Sequence, residues 1–344
     1  MCIRDRPTAE LLESGGIQLQ VKTLFFLPFS VMHPKFVIVD RQRAFIPSCN
    51  VSWESWLEGC VEIQGQAVGN FFDFFSRTWK MEGEQTVQHP ESLADVDAAV
   101  TAPNAIISPA HLDRKLPSNS ITTMILPSSH HRNPHFRPFP WQKAASPPPT
   151  PLNVAVLHLI GQSTRSIYMQ TPNLTSEPVV SALLDAVSRG VDVSIVTNRN
   201  MMLVEQLVTA GTTTSWCLRS LVRRYKELLS KVDRTDVEAQ RSLPGQLRIC
   251  YFRSRQPSSS VVPGADVSEE PVHSHLKLTV FDDTYTILGS GNMDRASWYT
   301  SQELGILFES RDLVDTVLAS VYSVTEGRLD VVFDSARVDS VQRG

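Results

Sequence analysis

The sequence predicts an α/β protein of two repeats, each a mixed β-sheet flanked by helices, with an active site between them. A duplicated motif is the first ground for this. His33-Pro34-Lys35-Phe36-Val37-Ile38-Val39-Asp40 and His275-Leu276-Lys277-Leu278-Thr279-Val280-Phe281-Asp282 share the pattern H-x-K-x-x-x-x-D, 242 residues apart. The match continues downstream at equal offsets, with Ser48 and Ser290, then Asn50 and Asn292, then Trp56 and Trp298. The second ground is the alternation of apolar runs at strand and helix periods around the second copy, the signature of an α/β sheet with parallel pairs. The third is size and composition: 344 residues, 42% apolar and 20% charged, suit two ordinary domains and exclude a disordered chain.

Taken in order, residues 9–32 supply the end of a helix, a stop at Gly15 and Gly16, and a strand or two, with the apolar run 24–29 read as a buried strand. The first motif follows, then a helix around 71–79. Residues 81–151 lack periodicity and are rich in proline, ending in Ser146-Pro147-Pro148-Pro149-Thr150-Pro151; they read as an inter-repeat linker, partly ordered by Phe136, Phe139 and Trp141. Residues 152–162 read as a helix and 166–170 as a strand. Val179, Val180, Leu183, Leu184 and Val187 share one face of a helix over 177–189 that Gly190 stops. Residues 191–196 and 247–252 are strands; 201–209 and 216–232 are helices. A polar loop over 253–272 leads into the second motif, and its length suggests a lid. Residues 311–333 hold a last helix and strand. The expected division is 1–80 for the first repeat, 81–151 for the linker and 152–344 for the second repeat.

Only 32 residues precede His33, against 122 between Leu152 and His275 (275 − 152 − 1). The first repeat is therefore expected to be incomplete at its N-terminus. No run approaches the ~18 apolar residues of a membrane span, and residues 1–16 lack the apolar core of a signal peptide. Five cysteines without a C-x-x-C pair point to a reducing, intracellular setting. The net charge of −4 does not suggest a dedicated nucleic-acid binder.

The motifs carry chemistry. Residues two apart on a strand share a face, so His33 projects with Lys35 and His275 with Lys277, while Phe36, Ile38, Leu276, Leu278 and Val280 face a core. Asp40 and Asp282 have the other parity and fall where the strand turns, which fits them to hold the following hairpin. Gly289 and Gly291 are expected to let backbone approach an anion. Two His, two Lys and two Asn make a cationic, donor-rich pocket for a phosphate diester. One imidazole attacks phosphorus and the other protonates the leaving oxygen. Lysines and asparagines neutralise the equatorial oxygens, so no metal or other cofactor is expected.

This pair of motifs with trailing Ser-x-Asn resembles the phospholipase D superfamily. Residues 56–65 with Ala67-Val68, and residues 166–173 with Arg189-Gly190-Val191-Asp192-Val193, are similar to its cardiolipin synthase-type branch. The resemblance covers residues 9–80 and 152–310. It implies a phosphohistidine nucleophile at His33 and a general acid at His275. Lys35, Lys277, Ser48, Asn50, Ser290 and Asn292 would bind phosphate, and the motif aspartates Asp40 and Asp282 belong to the catalytic set. Glu58 and Glu303 stand where the family places a carboxylate that orients the imidazole, with Glu62 competing with Glu58. Pro47 and Asn173 depart from the branch, which tends to carry Gly and an aromatic residue there.

The other candidates have plainer readings. His273 lines the entrance, His130, His131 and His135 lie on a surface loop, Trp53 and Trp56 pack beside the pocket, and Arg219, Arg223 and Lys226 form a solvated helix face. Cys49 has no role in the implied mechanism. The expected function is phosphodiester cleavage or phosphatidyl transfer on a phospholipid, with peripheral membrane contact. A phospholipase D-type nuclease and a non-enzymatic scaffold are the alternatives.

Overall fold

The computed structural model describes residues 8–22, 30–50, 54–79, 120–129, 146–231, 243–255 and 270–336. The apolar run 24–29, Trp53, the three histidines at 130–135, the aromatic residues 136–141 and most of the expected lid (256–269) lie outside the described residues.

After α1 (Ala9–Ser14), the first motif feeds a small antiparallel sheet of β1 (Val37–Val39), β2 (Arg43–Pro47) and β4 (Cys60–Gln64), with the short β3 (Trp56–Leu57) before β4 and α2 (Gln66–Trp79) behind it. The second motif sits in an eight-stranded mixed sheet. Its strands are β5 (Thr122–Ser128), β6 (Ser166–Gln170), β7 (Asp192–Asn198), β8 (Leu247–Phe252), β10 (Leu278–Phe281), β11 (Tyr285–Gly289), β12 (Glu303–Glu309) and β13 (Leu329–Asp334), in the order β13-β8-β7-β6-β10-β11-β12-β5. β6, β7 and β8 are parallel and the other neighbours antiparallel. The large sheet is α/β as expected, while the two motifs are served by sheets of unequal size.

The parallel strands are apolar on both faces because helices cover both. On one face lie α3 (Pro151–Gln162), α4 (Glu177–Ser188) and α6 (Thr214–Lys231), which bring Val156, Ile160, Leu183, Val187, Leu218 and Leu221 onto Ile167, Met169, Ile195 and Ile249. On the other, Val314 and Val321 of α8 (Arg311–Thr325) meet Tyr168, Val196, Cys250 and Leu278. The first-motif sheet joins the same body through Ala44, Ile46, Val68 and Phe71 packed on Leu304, Ile306 and Phe308. Two further helices, α5 (Leu203–Ala210) and α7 (Arg295–Tyr299), lie near the site described below.

Local chemistry sets the ends. Thr150 caps α3 by accepting from the Asn153 amide, with Pro151 in the first turn, where a missing N–H costs nothing. Gly190, at φ +93°, ends α4. One region departs from the linker reading: residues 122–128 form β5, the edge strand beside β12. Its sequence, Thr-Thr-Met-Ile-Leu-Pro-Ser, has a proline that a central strand would exclude but an edge tolerates.

Candidate active site

The two His-x-Lys segments do not lie within ladder strands as parity suggests. They immediately precede β1 and β10, where each backbone leaves its sheet to meet the other motif. Met32 forms a parallel bridge with Gln302, and the His33 amide donates to the Gln302 carbonyl at 3.0 Å. The short β9 (His273–Ser274) pairs in parallel with β3, and the His275 amide donates to the Leu57 carbonyl at 2.9 Å. Leu57 precedes Glu58 and Gln302 precedes Glu303. The same pairing at the same register therefore occurs twice and delivers each imidazole to the carboxylate that follows the other motif.

His33 Nδ1 lies 2.9 Å and 3.1 Å from the two Glu303 oxygens, and His275 Nδ1 lies 2.7 Å from Glu58 Oε1. A carboxylate only accepts, so each Nδ1 carries the proton and each Nε2 is left to face substrate. Glu58 is the orienting residue. Glu62 sits on β4, near Arg43 across the strand pair.

The serines repeat the correspondence. The Ser48 hydroxyl donates to Glu58 and accepts from the Gly59 amide at 2.9 Å. The Ser290 hydroxyl donates to Glu303 at 2.5 Å and accepts from the Leu304 amide at 3.0 Å. Both hydroxyls are engaged in holding the carboxylates that meet the imidazoles. Asn292 is likewise turned inward: its amide donates to Asp294 at 2.9 Å, and its Oδ1 is buried without a hydrogen-bond partner among the described residues. Asn50 is exposed. The asparagines thus differ in environment, and so do the paired tryptophans. Trp56 lies on β3 with its ring 4.9 Å from that of His275, whereas Trp298 is buried in α7. The cause is α7 itself, inserted between Asn292 and Glu303. It makes the Asn-to-Glu spacing eleven residues in the second motif against eight in the first.

Lys35 Nζ donates to the His33 carbonyl at 2.9 Å. Lys277 Nζ donates to the His275 carbonyl at 2.7 Å and to the Ser48 carbonyl at 3.4 Å. Burial pushes Lys277 down to about 7 despite the pull of Glu58, with the Lys35 charge adding to the fall. Burial pushes Lys35 down to about 8, opposed by Glu303 and Glu58. Two ammonium groups held in a dry site without full neutralisation are poised to receive an anion. His275 is held below its ordinary value by burial, with Glu58 opposing. Glu303 is fully buried. That burial would raise its pKa, but the charge and hydrogen bond of His33, then Lys35 and Ser290, outweigh it and keep the carboxyl below its usual range.

Asp40 and Asp282 stand apart from this cluster. With Arg41 and Asp283 they take left-handed φ between 50° and 56°. The Gln42 and Thr284 amides close the turns on the Val39 and Phe281 carbonyls at 3.0 Å. These are type I′ hairpin turns, where Asp is favoured. Asp282 further accepts from the Thr164, Arg165 and Ser166 amides, tying the turn to the start of β6. The motif aspartates therefore hold the far ends of the strands and do not touch the reacting groups.

Gly289 and Gly291 are also reassigned. A Cβ on Gly289 would lie 2.3 Å from the Leu304 carbonyl oxygen, and one on Gly291 would lie 2.9 Å from the Leu152 side chain. Their bareness serves packing of β11 on β12 and of α3 on the sheet, not approach to an anion. His273 is half-buried beside Trp56, at a ring distance of 6.4 Å. Sequence reasoning missed Ser297, which donates to Glu303 at 2.8 Å, and Asp294, which caps α7 by accepting from the Ser297 amide at 2.9 Å. The signal was present as Asp294-Arg295-Ala296-Ser297, a short N-capping pattern.

The two motifs meet where the His275 segment runs into β10, a central strand of the large mixed sheet. Residues 156–322 match the family model described as cardiolipin synthase, PLD-like domain. The second motif lies within the matched span and the first upstream of it. The chain is similar in fold to phosphatidylserine synthase from Haemophilus influenzae Rd KW20, at 14% identity and a TM-score of 0.50 over 88% of this chain and 64% of that one. It also aligns with Nuc, a phospholipase D family member from Salmonella typhimurium (16% identity, TM-score 0.35, 62% of this chain and 98% of that one). NucT from Helicobacter pylori aligns at 14% identity and a TM-score of 0.33, over 52% of this chain and 89% of that one. No curated protein matches the chain. Among the described residues no helix is long and apolar enough to cross a membrane.

Proposed function

We propose that the protein is a phosphatidyltransferase of the cardiolipin synthase type, cleaving a phospholipid diester through a phosphohistidine. The observation that carries this is the crossed arrangement of two His–Glu pairs over two buried lysines. His33 is the nucleophile. Its side chain is the more open, 21% exposed against 5% for His275. Nε2 attacks phosphorus while Glu303 holds the Nδ1 proton, and the P–O bond to the leaving group breaks as His275, in the doubly protonated form that Glu58 favours, gives its Nε2 proton to that oxygen. An acceptor alcohol, deprotonated by His275, then attacks phosphorus and releases His33. Lys35 and Lys277 stabilise the equatorial oxygens throughout. A second reading exchanges the histidines, and one observation favours it: burial lowers the pKa of His275, leaving it neutral and nucleophilic near pH 7. The match to a cardiolipin synthase-type domain supports transfer over hydrolysis, with a glycerol-type acceptor.

The reaction class is tested by offering the enzyme phosphatidylglycerol vesicles and, separately, single-stranded DNA, and resolving products by mass. Cardiolipin is the expected product. Phosphatidic acid alone would make the protein a hydrolase, cleaved DNA with untouched lipid a nuclease, and no turnover a scaffold.

Two further results are expected. Phosphate capture needs charged lysines, so kcat/KM should fall as pH rises through about 7 to 8, the range of Lys277 and Lys35. A bound phosphate raises both values, so the corresponding limb in kcat should lie at higher pH. A flat kcat/KM from pH 6 to 9 would remove the lysines from phosphate binding. Since the lysines supply the positive charge, EDTA should leave the rate unchanged; loss of activity restored by a divalent ion would contradict this.

A further inference from the structure

The helix α5 has its amphipathicity reversed. Its buried side is polar: Gln206 is 3% exposed and hydrogen-bonds Asn173, the Met201 carbonyl and both the amide and hydroxyl of Thr214. Its outer side is apolar: Leu203 is 37% exposed, Val204 76%, Leu207 46% and Val208 48%. Met202, just before the helix, adds 39%, and Trp216, at the start of α6, adds 54%. In a water-facing helix the two sides would be exchanged. The four buried hydrogen bonds fix the apolar side outward, so the exposure is built into the packing.

Two observations say what covers this face. The first is position. α5 packs on α7, whose Ser297 holds Glu303. Glu205 of α5 feels Asp294 and His33 directly: burial and Asp294 raise its pKa, and His33 lowers it. The helix therefore borders the His33 side of the site. The second is charge. α6, which follows α5, carries Arg219, Arg223, Arg224, Lys226 and Lys231 against a single acid, Glu227. Arg219 and Arg223 are exposed and follow Trp216 at helical spacing. Arg199 stands before α5, over the Tyr251 ring at 5.2 Å, and Tyr251 hydrogen-bonds Ser215 beside Trp216. Apolar side chains rimmed by a tryptophan and arginines match the layering of an anionic bilayer surface, with acyl chains below and phosphates above.

We propose that α5, with Trp216 and the arginines of α6, seats the protein on an anionic phospholipid surface so that the His33 side of the site opens at the headgroup layer. The proposal deepens the phospholipid reading above and rests on it. The face is too apolar for a nucleic-acid groove, which would need cations at its centre rather than its rim.

The test uses the full chain, with vesicles of phosphatidylglycerol and phosphatidylcholine in co-sedimentation, and bis(p-nitrophenyl) phosphate as a water-soluble diester. The double variant Val204→Asp/Leu207→Asp is expected to lose at least tenfold in partition to the vesicles while turning over the soluble diester within twofold of the parent. Val204→Ser/Leu207→Ser, milder on folding, should show a smaller loss in the same direction. Partition unchanged in both variants would overturn the proposal. So would a parent that ignores the vesicles, or a parent dimer in ultracentrifugation that the variants abolish without changing partition. Failure of the parent to cleave the soluble diester would count against the catalytic reading instead, and partition would still decide the role of α5.

Discussion

His33→Ala and His275→Ala are each expected to lower kcat by ~10²–10⁴-fold, and the double variant by little more than the worse single one. Each imidazole contributes a proton transfer or a covalent bond, steps worth about that factor. They act in one sequence, so removing either stalls the whole, and effects of residues that work as a unit do not add. The readout that separates their roles is the covalent adduct. Acid quench during turnover, then mass spectrometry, should find phosphate on His33 and none in His33→Ala. An adduct confined to His275 would establish the exchanged reading favoured by the lowered pKa of that residue. No adduct on either would end the covalent mechanism.

Glu303→Gln is expected to be the most damaging change outside the imidazoles, and to damage both activity and stability. Glu303 is fully buried and accepts from His33, Ser290 and Ser297. Glutamine keeps the volume but turns one acceptor into a donor, placing an N–H against groups that are themselves donors. Leaving a buried donor or acceptor unsatisfied costs about 1–3 kcal/mol. Denaturant unfolding should show a loss of that size. The rate should fall as well, because His33 loses the acceptor that fixes its tautomer. Glu58→Gln provides the comparison. The Glu58 side chain is 20% exposed against 1% for Glu303, so water replaces part of what is lost. Its stability cost should be smaller while its rate cost stays similar. Equal stability losses would mean that burial does not distinguish the two pairs.

The sequence alone determined the elements whose causes are local. The second motif's surroundings were legible because 3.6-residue and two-residue apolar periods separate α4 and α6 from β7 and β8, and because Gly190 ends its helix at a left-handed φ. The equal offsets of His, Lys, Asp and Ser were legible because both copies build the same segment, hairpin and strand. The turn role of Asp40 and Asp282 followed from parity, while the family resemblance set them among the catalytic residues; the structure shows them in the hairpin turns.

What only the tertiary structure decided was which carboxylate serves which imidazole. By spacing alone Glu62, 29 residues after His33, stands nearer than Glu58, at 25, to the position of Glu303, 28 after His275. The choice falls on Glu58 because the pairing of β3 with β9 aligns Leu57 with Ser274 and so carries Glu58 to His275, 217 residues away. The same register between Met32 and Gln302 gives Glu303 to His33. Neither pairing leaves a periodic trace, since each involves one or two residues. The bonds of Ser48 to Glu58, Ser290 to Glu303 and Asn292 to Asp294 were hidden for the same reason: a side chain's partner depends on what another part of the chain brings beside it. The outward face of α5 was invisible too. The sequence reads 201–209 as a helix, and only the buried hydrogen bonds of Gln206 with residues before and after it determine which side meets the protein.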